Sequence, residues 1–254
     1  MILSNNKLLL KKVRLALTPR SALVHTRLEN GAIVAGYNGA GWGGRGVYLY
    51  GDSIEPELSS LQRFLRPGSV FVDVGANVGV YSLKAAKEVG DEGLVVAVEP
   101  FLETASRLFE NVRANGYRNV RVRNLCVGRH TQQAQLYLNN DKPNSFGLLR
   151  VGNAESVSVL CVSLDDLCRW ENIERLDYLK IDAEGAEGAI LEGGAQTIAR
   201  FRPIVQVEIT KSDSRLSSSY RKFFAPKSPN NIFIPAENVK AVEIAMALGW
   251  AETN

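Results

Sequence analysis

The sequence predicts a doubly wound α/β fold on a mostly parallel, Rossmann-like central sheet, and three observations carry that expectation. Four short runs, Val70–Val74, Leu94–Val98, Tyr178–Ile181 and Ile204–Val207, are apolar almost throughout, as strands buried on both faces must be. Helical spacing fills the gaps between them, as in Ala105, Leu108, Phe109 and Val112. Strand followed by helix, repeated, implies right-handed crossovers within one sheet.

Taken from the start, residues 1–52 read as an N-terminal extension. Lys7-Leu-Leu-Leu-Lys-Lys-Val-Arg-Leu-Ala-Leu17 is basic and apolar, but too interrupted by charge for a signal-peptide core. It reads first as a helix packed on the domain surface. The second reading is an amphipathic helix in weak peripheral contact with a membrane. The stretch Gly36-Tyr-Asn-Gly-Ala-Gly-Trp-Gly-Gly-Arg-Gly46 reads as a loop, since each Gly in a helix interior costs about 1 kcal/mol relative to Ala.

Residues 53–210 form the expected main domain. It opens on one helix through Ile54, Leu58, Leu61, Phe64 and Leu65, capped by Asp52 or Ser53 and stopped by Pro67-Gly68. A fifth strand, Val120–Leu125, alternates Val with Arg121 and Arg123, which leaves one face or end wet. Gln133–Leu138 and Val157–Val162 read as two antiparallel strands around a polar loop with Pro143 and Gly147. Residues 211–254 complete the domain with a Ser- and Pro-rich loop, Lys211–Asn230, a strand at Ile232–Ile234 and a helix around Val239–Leu248.

Composition narrows the function classes. The 254 residues are 45% apolar and 22% charged, which excludes collagen-like, disordered and disulfide-scaffold chains. Thirty Lys and Arg against 27 Asp and Glu leave +3, so the overall balance gives no broad electrostatic reason to expect nucleic acid or anionic lipid as the main partner. Cys126, Cys161 and Cys168 show no CxxC spacing and read as reduced thiols without a zinc site. No apolar run approaches the 18 or so residues of a membrane span, and the expected location is the cytoplasm.

The sharpest feature is Val70-Phe-Val-Asp-Val-Gly-Ala-Asn-Val-Gly79, a strand entering a glycine turn and then a helix. Starting at Gly75, the dinucleotide fingerprint G-x-G-x-x-G fails twice, at Asn77 and Val80. What stands there is Asp73-x-Gly75-x-Asn77-x-Gly79, with Glu99 twenty residues on at the next strand end. A carboxylate before the turn suits a ligand with a positive group, and an acid at the second strand end suits ribose hydroxyls. Ribose plus a cationic amino-acid tail describes S-adenosylmethionine.

Phe71-Val-Asp-Val-Gly-Ala-Asn-Val-Gly79, Val98-Glu-Pro100, Leu179-Lys-Ile-Asp-Ala-Glu-Gly-Ala-Glu187 and Arg202-Pro-Ile-Val-Gln-Val-Glu208 together resemble the FkbM family of S-adenosylmethionine-dependent methyltransferases. They stand in that family's order, from about residue 46 to about 210, and Gly46-Val-Tyr-Leu-Tyr-Gly-Asp-Ser-Ile-Glu-Pro-Glu57 resembles the segment before its first glycine motif. The resemblance implies a class I methyltransferase fold and methyl transfer, usually to oxygen, with sugar and natural-product hydroxyls among the acceptors. Ile209-Thr210 depart from the polar or histidine residue that many relatives carry there.

Asp73, Gly75, Asn77, Gly79 and Glu99 are the expected cofactor residues, with Phe101, Asn124 and Cys126 as candidate walls. Asp182 and Glu184 are the expected catalytic pair at a sheet's carboxyl edge, one of them a base for the acceptor hydroxyl. Glu187 is equally well explained by a helix dipole. No metal is expected. The amine alternative, N-methylation, and a non-catalytic scaffold remain open readings, as does the oligomeric state.

Overall fold

The computed structural model describes residues 2–39, 41–138, 146–147, 155–183, 185–208, 216 and 219–253. Along the chain, α1 (Ile2–Leu17) leads to a hairpin of β1 (Leu23–Arg27) and β2 (Ile33–Tyr37), a π-helical turn (Gly41–Gly46) and α2 (Val47–Tyr50). A 3₁₀ turn (Gly51–Ile54), α3 (Pro56–Ser60) and a second 3₁₀ turn (Leu61–Arg63) precede the main alternation. That alternation runs β3 (Val70–Val74), α4 (Val80–Val89), β4 (Leu94–Val98), α5 (Leu102–Ala114) and β5 (Val120–Arg123). Next come β6 (Cys126–Gly128), β7 (Gln132–Leu138), β8 (Phe146–Gly147), β9 (Ser156–Ser163) and α6 (Leu164–Trp170). The chain then continues through β10 (Tyr178–Ile181), α7 (Glu187–Gly193), α8 (Ala195–Phe201) and β11 (Ile204–Glu208). It closes with β12 (Tyr220–Phe224), β13 (Asn230–Pro235), α9 (Val239–Ala247) and β14 (Ala251–Thr253).

The main sheet has the order β14-β12-β13-β11-β10-β3-β4-β5. From β11 to β5 every neighbour is parallel, whereas β13 runs against β11 and β12, and β14 against β12. The winding reverses between β3 and β10, and in open sheets of this kind the ligand crevice lies outside the carboxyl ends of such a strand pair. Strand period explains the two layers that cover the sheet. Val72, Val74, Val96, Leu179, Ile181 and Val205 pack on Leu164, Ile190 and Ile198. Phe71, Val95, Tyr178 and Ile204 pack on Leu58, Leu61, Tyr81 and Val89. The four apolar runs are thus buried on both faces, and each large side chain contributes roughly 1.5–3 kcal/mol of burial.

Four expectations are corrected. The glycine-dense stretch is not a loop: Gly41–Gly46 winds as a π-helical turn into α2. Glycine is needed at Gly44 because a Cβ would run into the carbonyl oxygen of Tyr37, so close approach to β2 outweighs low helix propensity. The helix through Ile54–Leu65 is broken into two 3₁₀ turns and α3. Asp52 caps nothing there; it is buried in an ion pair with Lys84 and accepts the Glu29 N–H at 2.8 Å. The Ser- and Pro-rich segment contains β12, whose pairing with β13 the local composition hides.

The β7–β9 pair is antiparallel as expected, but Gly147 lies in β8, and Pro143 falls outside the described residues. β5 ends at Arg123, where Arg121 and Arg123 converge on the carboxylate of Glu171 at 3.2 and 2.5 Å. The hairpin is fastened across α5 by two asparagines one turn apart. Asn111 accepts from Ala35 N–H at 3.0 Å and donates to Ala35 O at 2.9 Å, and Asn115 does both with Ile33 at 2.7 Å. Their amides imitate a strand neighbour, satisfying backbone groups that β2 would otherwise bury unpaired.

Candidate active site

The crevice is shaped by how the chain leaves β3. Gly75 has φ +77°, and a Cβ there would collide with the carbonyl oxygen of Asp182. Only glycine lets the turn press on the end of β10, where Asp182 N–H donates to Val74 O at 3.0 Å. Asn77 is also left-handed, φ +51°, and its Oδ1 accepts the Val78 N–H at 2.8 Å. Asn tolerates this region through such local bonds. Gly79, φ +93°, then caps α4.

Glu99 directly follows β4 and is 7% exposed. Its Oε2 accepts the Asn77 N–H at 2.9 Å and its Oε1 the Phe101 N–H at 3.0 Å. Burial pushes this carboxyl up to about 7, against the two backbone donors that favour its charge. Among the described residues no cationic side chain forms a salt bridge with it, so each oxygen keeps acceptor capacity for a hydroxyl. Asn124 donates at 2.9 Å to both Glu99 O and Pro100 O, fixing the strand end that carries the acid.

Asp73 lies one layer down. It is fully buried, its Oδ2 accepts from Ser82 Oγ at 2.6 Å, and its Oδ1 has no hydrogen bond among the described residues. Burial raises its pKa, while Lys180 and Ser82 hold it down. The acid before the glycine turn therefore faces Lys180 Nζ, 3.9 Å away, and not the surface. Lys180 is 4% exposed, 3.0 Å from Asp182 Oδ2, and 4.7 Å over the Tyr81 ring. Burial opposes its charge, yet Asp182 and Asp73 hold its pKa above the ordinary lysine value. Asp182 is 41% exposed in its side chain. It is thus a carboxylate that reaches the crevice while anchored from below.

The row beneath the crevice is set by register: Asp73, Lys180 and Gln206 are paired neighbours on β3, β10 and β11. Gln206 donates to Tyr81 OH at 3.0 Å and accepts from Tyr178 OH at 2.9 Å, and Tyr81 OH donates to Glu55 Oε2 at 2.5 Å. Sequence reasoning did not single out Tyr81, Gln206 or Glu55. The one available signal was Gln206, a polar residue inside the apolar run of β11.

Of the remaining expected residues, Phe101 caps α5 with its backbone. Cys126 is buried with its Sγ 3.3 Å from Cys161 Sγ across the β6–β9 pair. Glu184 lies outside the described residues. Glu187 Oε1 accepts the Ala183 and Gly185 N–H groups at 3.2 and 3.0 Å, so it shapes the turn after Asp182. His25 and His130 are both exposed. Among the described residues no group of three or more His, Cys, Asp or Glu is placed to hold a metal.

An open parallel sheet reversed at β3 and β10, with a glycine turn and two acids at its carboxyl edge, is the architecture of class I methyltransferases. The methyltransferase FkbM domain profile matches residues 73–226, more than half of the chain. The chain belongs to the FkbM methyltransferase family, whose methyl donor is S-adenosylmethionine.

An FkbM methyltransferase structure from Methylobacillus flagellatus KT aligns with TM-score 0.48 and 16% identity over 74% of this chain and 52% of its own. An O-methyltransferase from Bacillus cereus in complex with SAH aligns with TM-score 0.41 and 16% identity, over 70% and 77%. A histone-lysine N-methyltransferase specific for H3 lysine 79, from Yarrowia lipolytica, is 32% identical over 99 residues. That match takes in 38% of this chain and 20% of the relative. The chain therefore spans about half of the FkbM structure and a fifth of the curated relative.

Proposed function

We propose that the protein transfers a methyl group from S-adenosylmethionine to a hydroxyl of a saccharide or natural-product-type small molecule. The observation that carries this reading is Asp182: half-exposed at the crevice, yet anchored at 3.0 Å by a buried lysine. The residues around it suit the cofactor. Glu99, buried and without a cationic partner among the described residues, has lone pairs for both ribose hydroxyls, and the Gly75–Gly79 turn lets backbone approach the ligand. Asp73 acts from beneath, through Ser82 and Lys180, and does not need to touch the ligand.

Bound S-adenosylmethionine supplies an electrophilic methyl group on a sulfonium. Asp182 accepts the acceptor's hydroxyl proton, a contribution of about 10²- to 10⁴-fold. The crevice walls orient the acceptor oxygen, and such positioning supplies up to roughly 7–11 kcal/mol. Lys180, 3.0 Å away, fixes the rotamer of Asp182. Glu184, two residues on in sequence, takes the other role of the pair and holds the cofactor's amino end or the acceptor.

Isothermal titration with S-adenosylmethionine and S-adenosylhomocysteine, with and without EDTA, tests the reading. Micromolar binding unaffected by EDTA is expected, and absence of binding to both ligands overturns it in favour of a scaffold that retains the fold. A second reading is N-methylation of an amine, favoured by the stretch shared with a lysine N-methyltransferase. An acceptor screen of sugars and small amines, read as S-adenosylhomocysteine formed, separates the two. The even charge balance supports a small-molecule acceptor, and three thiols without a disulfide support a cytoplasmic setting.

A further inference from the structure

We propose that α1 is a docking surface for an anionic lipid bilayer, which it meets lying flat. The inference is independent of the methyltransferase reading. The inner face of α1 is already committed. Leu15 is 1% exposed, Asn38 donates to the carbonyls of Leu15 and Thr18 at 2.9 and 2.7 Å, and Lys11 donates to Leu49 O at 3.3 Å. The helix is thereby held with its opposite side outward.

That outward side is apolar. Leu9, Val13 and Leu17 follow at four-residue steps and Leu10 lies one heptad before Leu17, so all four share one face. They are 60%, 49%, 82% and 69% exposed respectively. Scattered exposed leucines need no explanation, but four on one helical face, held away from the core, form a patch. No helix among the described residues is long and apolar enough to cross a membrane, so insertion across the bilayer is not the use of this face.

Charge selects the partner. Exposed Lys7, Lys12 and Arg14 flank the apolar stripe. Residues 1–28 hold six of the 30 Lys and Arg and none of the 27 Asp and Glu, which gives this segment +6 and leaves −3 on the remainder. An apolar stripe rimmed by cations is what an interfacial helix presents to acyl chains and anionic headgroups. A second copy of the helix would instead set cations against cations across the pair, which disfavours self-association.

Co-sedimentation of the full chain with phosphatidylcholine vesicles, with and without phosphatidylglycerol, tests this. Each exposed cation near an anionic surface multiplies partitioning about fivefold, so the three together predict roughly a hundredfold preference for the anionic vesicles. Added salt should erode that preference. In Leu10→Ser/Leu17→Ser the binding should fall about tenfold or more, with an unchanged circular dichroism spectrum because both positions are exposed. Equal binding to the two vesicle types, or full binding by the double variant, overturns the proposal. A concentration-dependent dimer that the double variant abolishes, without vesicle binding by the parent, also overturns it and assigns the face to a second copy.

Discussion

Replacing Lys180 by Met should destabilise the protein in a pH-dependent way, because of what it leaves behind. Lys180 is 4% exposed and lies 3.9 Å from Asp73 Oδ1, an atom of a fully buried residue with no hydrogen bond among the described residues. Removing one partner of a buried pair leaves an uncompensated charge and costs about 3–5 kcal/mol. The Asp182 side is discounted, since a carboxylate 41% exposed is screened by water. A loss of about 3 kcal/mol is therefore expected near neutral pH, or roughly 6–12 °C in Tm for a chain of this size.

The sign with pH follows from Asp73. Its folded pKa is raised above the ordinary value by burial and held down in part by Lys180. The folded state thus binds this proton more tightly than the unfolded one, and stability is lost as pH rises through the folded pKa. Without Lys180 that pKa rises further. The penalty should be small at low pH, where Asp73 is protonated in both states, and should grow through neutrality. Thermal unfolding followed by circular dichroism at several pH values measures it. Asp73→Asn/Lys180→Met, which removes both charges, should recover most of the loss. A penalty independent of pH, or a double variant worse than Lys180→Met alone, would refute this reasoning.

Three further outcomes are expected. Glu99→Gln should weaken S-adenosylmethionine binding about 10- to 150-fold, the worth of hydrogen bonds to a charged group. Because burial sets the Glu99 pKa to about 7, affinity of the parent should rise as pH increases through 7 and that of the variant should not, by titration calorimetry. Asp182→Asn should lower turnover about 10²- to 10⁴-fold in a S-adenosylhomocysteine-release assay while cofactor affinity changes only a few-fold; loss of binding instead would move Asp182 from base to cofactor ligand. Gly75→Ala, forced to φ +77° against the Asp182 carbonyl, should cost about 1–3 kcal/mol in chemical denaturation.

The parallel strands were legible because burial on both faces leaves a continuous apolar run that needs no partner to be recognised. Val70–Val74 and Leu94–Val98 are such runs. The glycine turn was legible because part of its constraint is local: Gly75 and Gly79 take positive φ, which glycine alone adopts freely. Lys180 and Asp182 stand two residues apart, so strand period alone sets them on one side, and they meet at 3.0 Å.

What lay beyond reading depended on neighbours distant in sequence. Asp52 resembles a helix cap but pairs with Lys84, and β12 hides in a Ser- and Pro-rich stretch until β13 pairs with it. Gly41–Gly46 looks too flexible to wind, yet packing against β2 requires its lack of side chains. The depth of Asp73 and the layer of Tyr81, Gln206 and Glu55 likewise come from register across three strands. Periodicity and local backbone strain are properties of consecutive residues, so the order of residues carries the sheet, its glycine turn and the acids at its edge. Whether a carboxylate faces solvent or is sealed against a lysine depends on which strands lie beside it, and only the assembled sheet decides that.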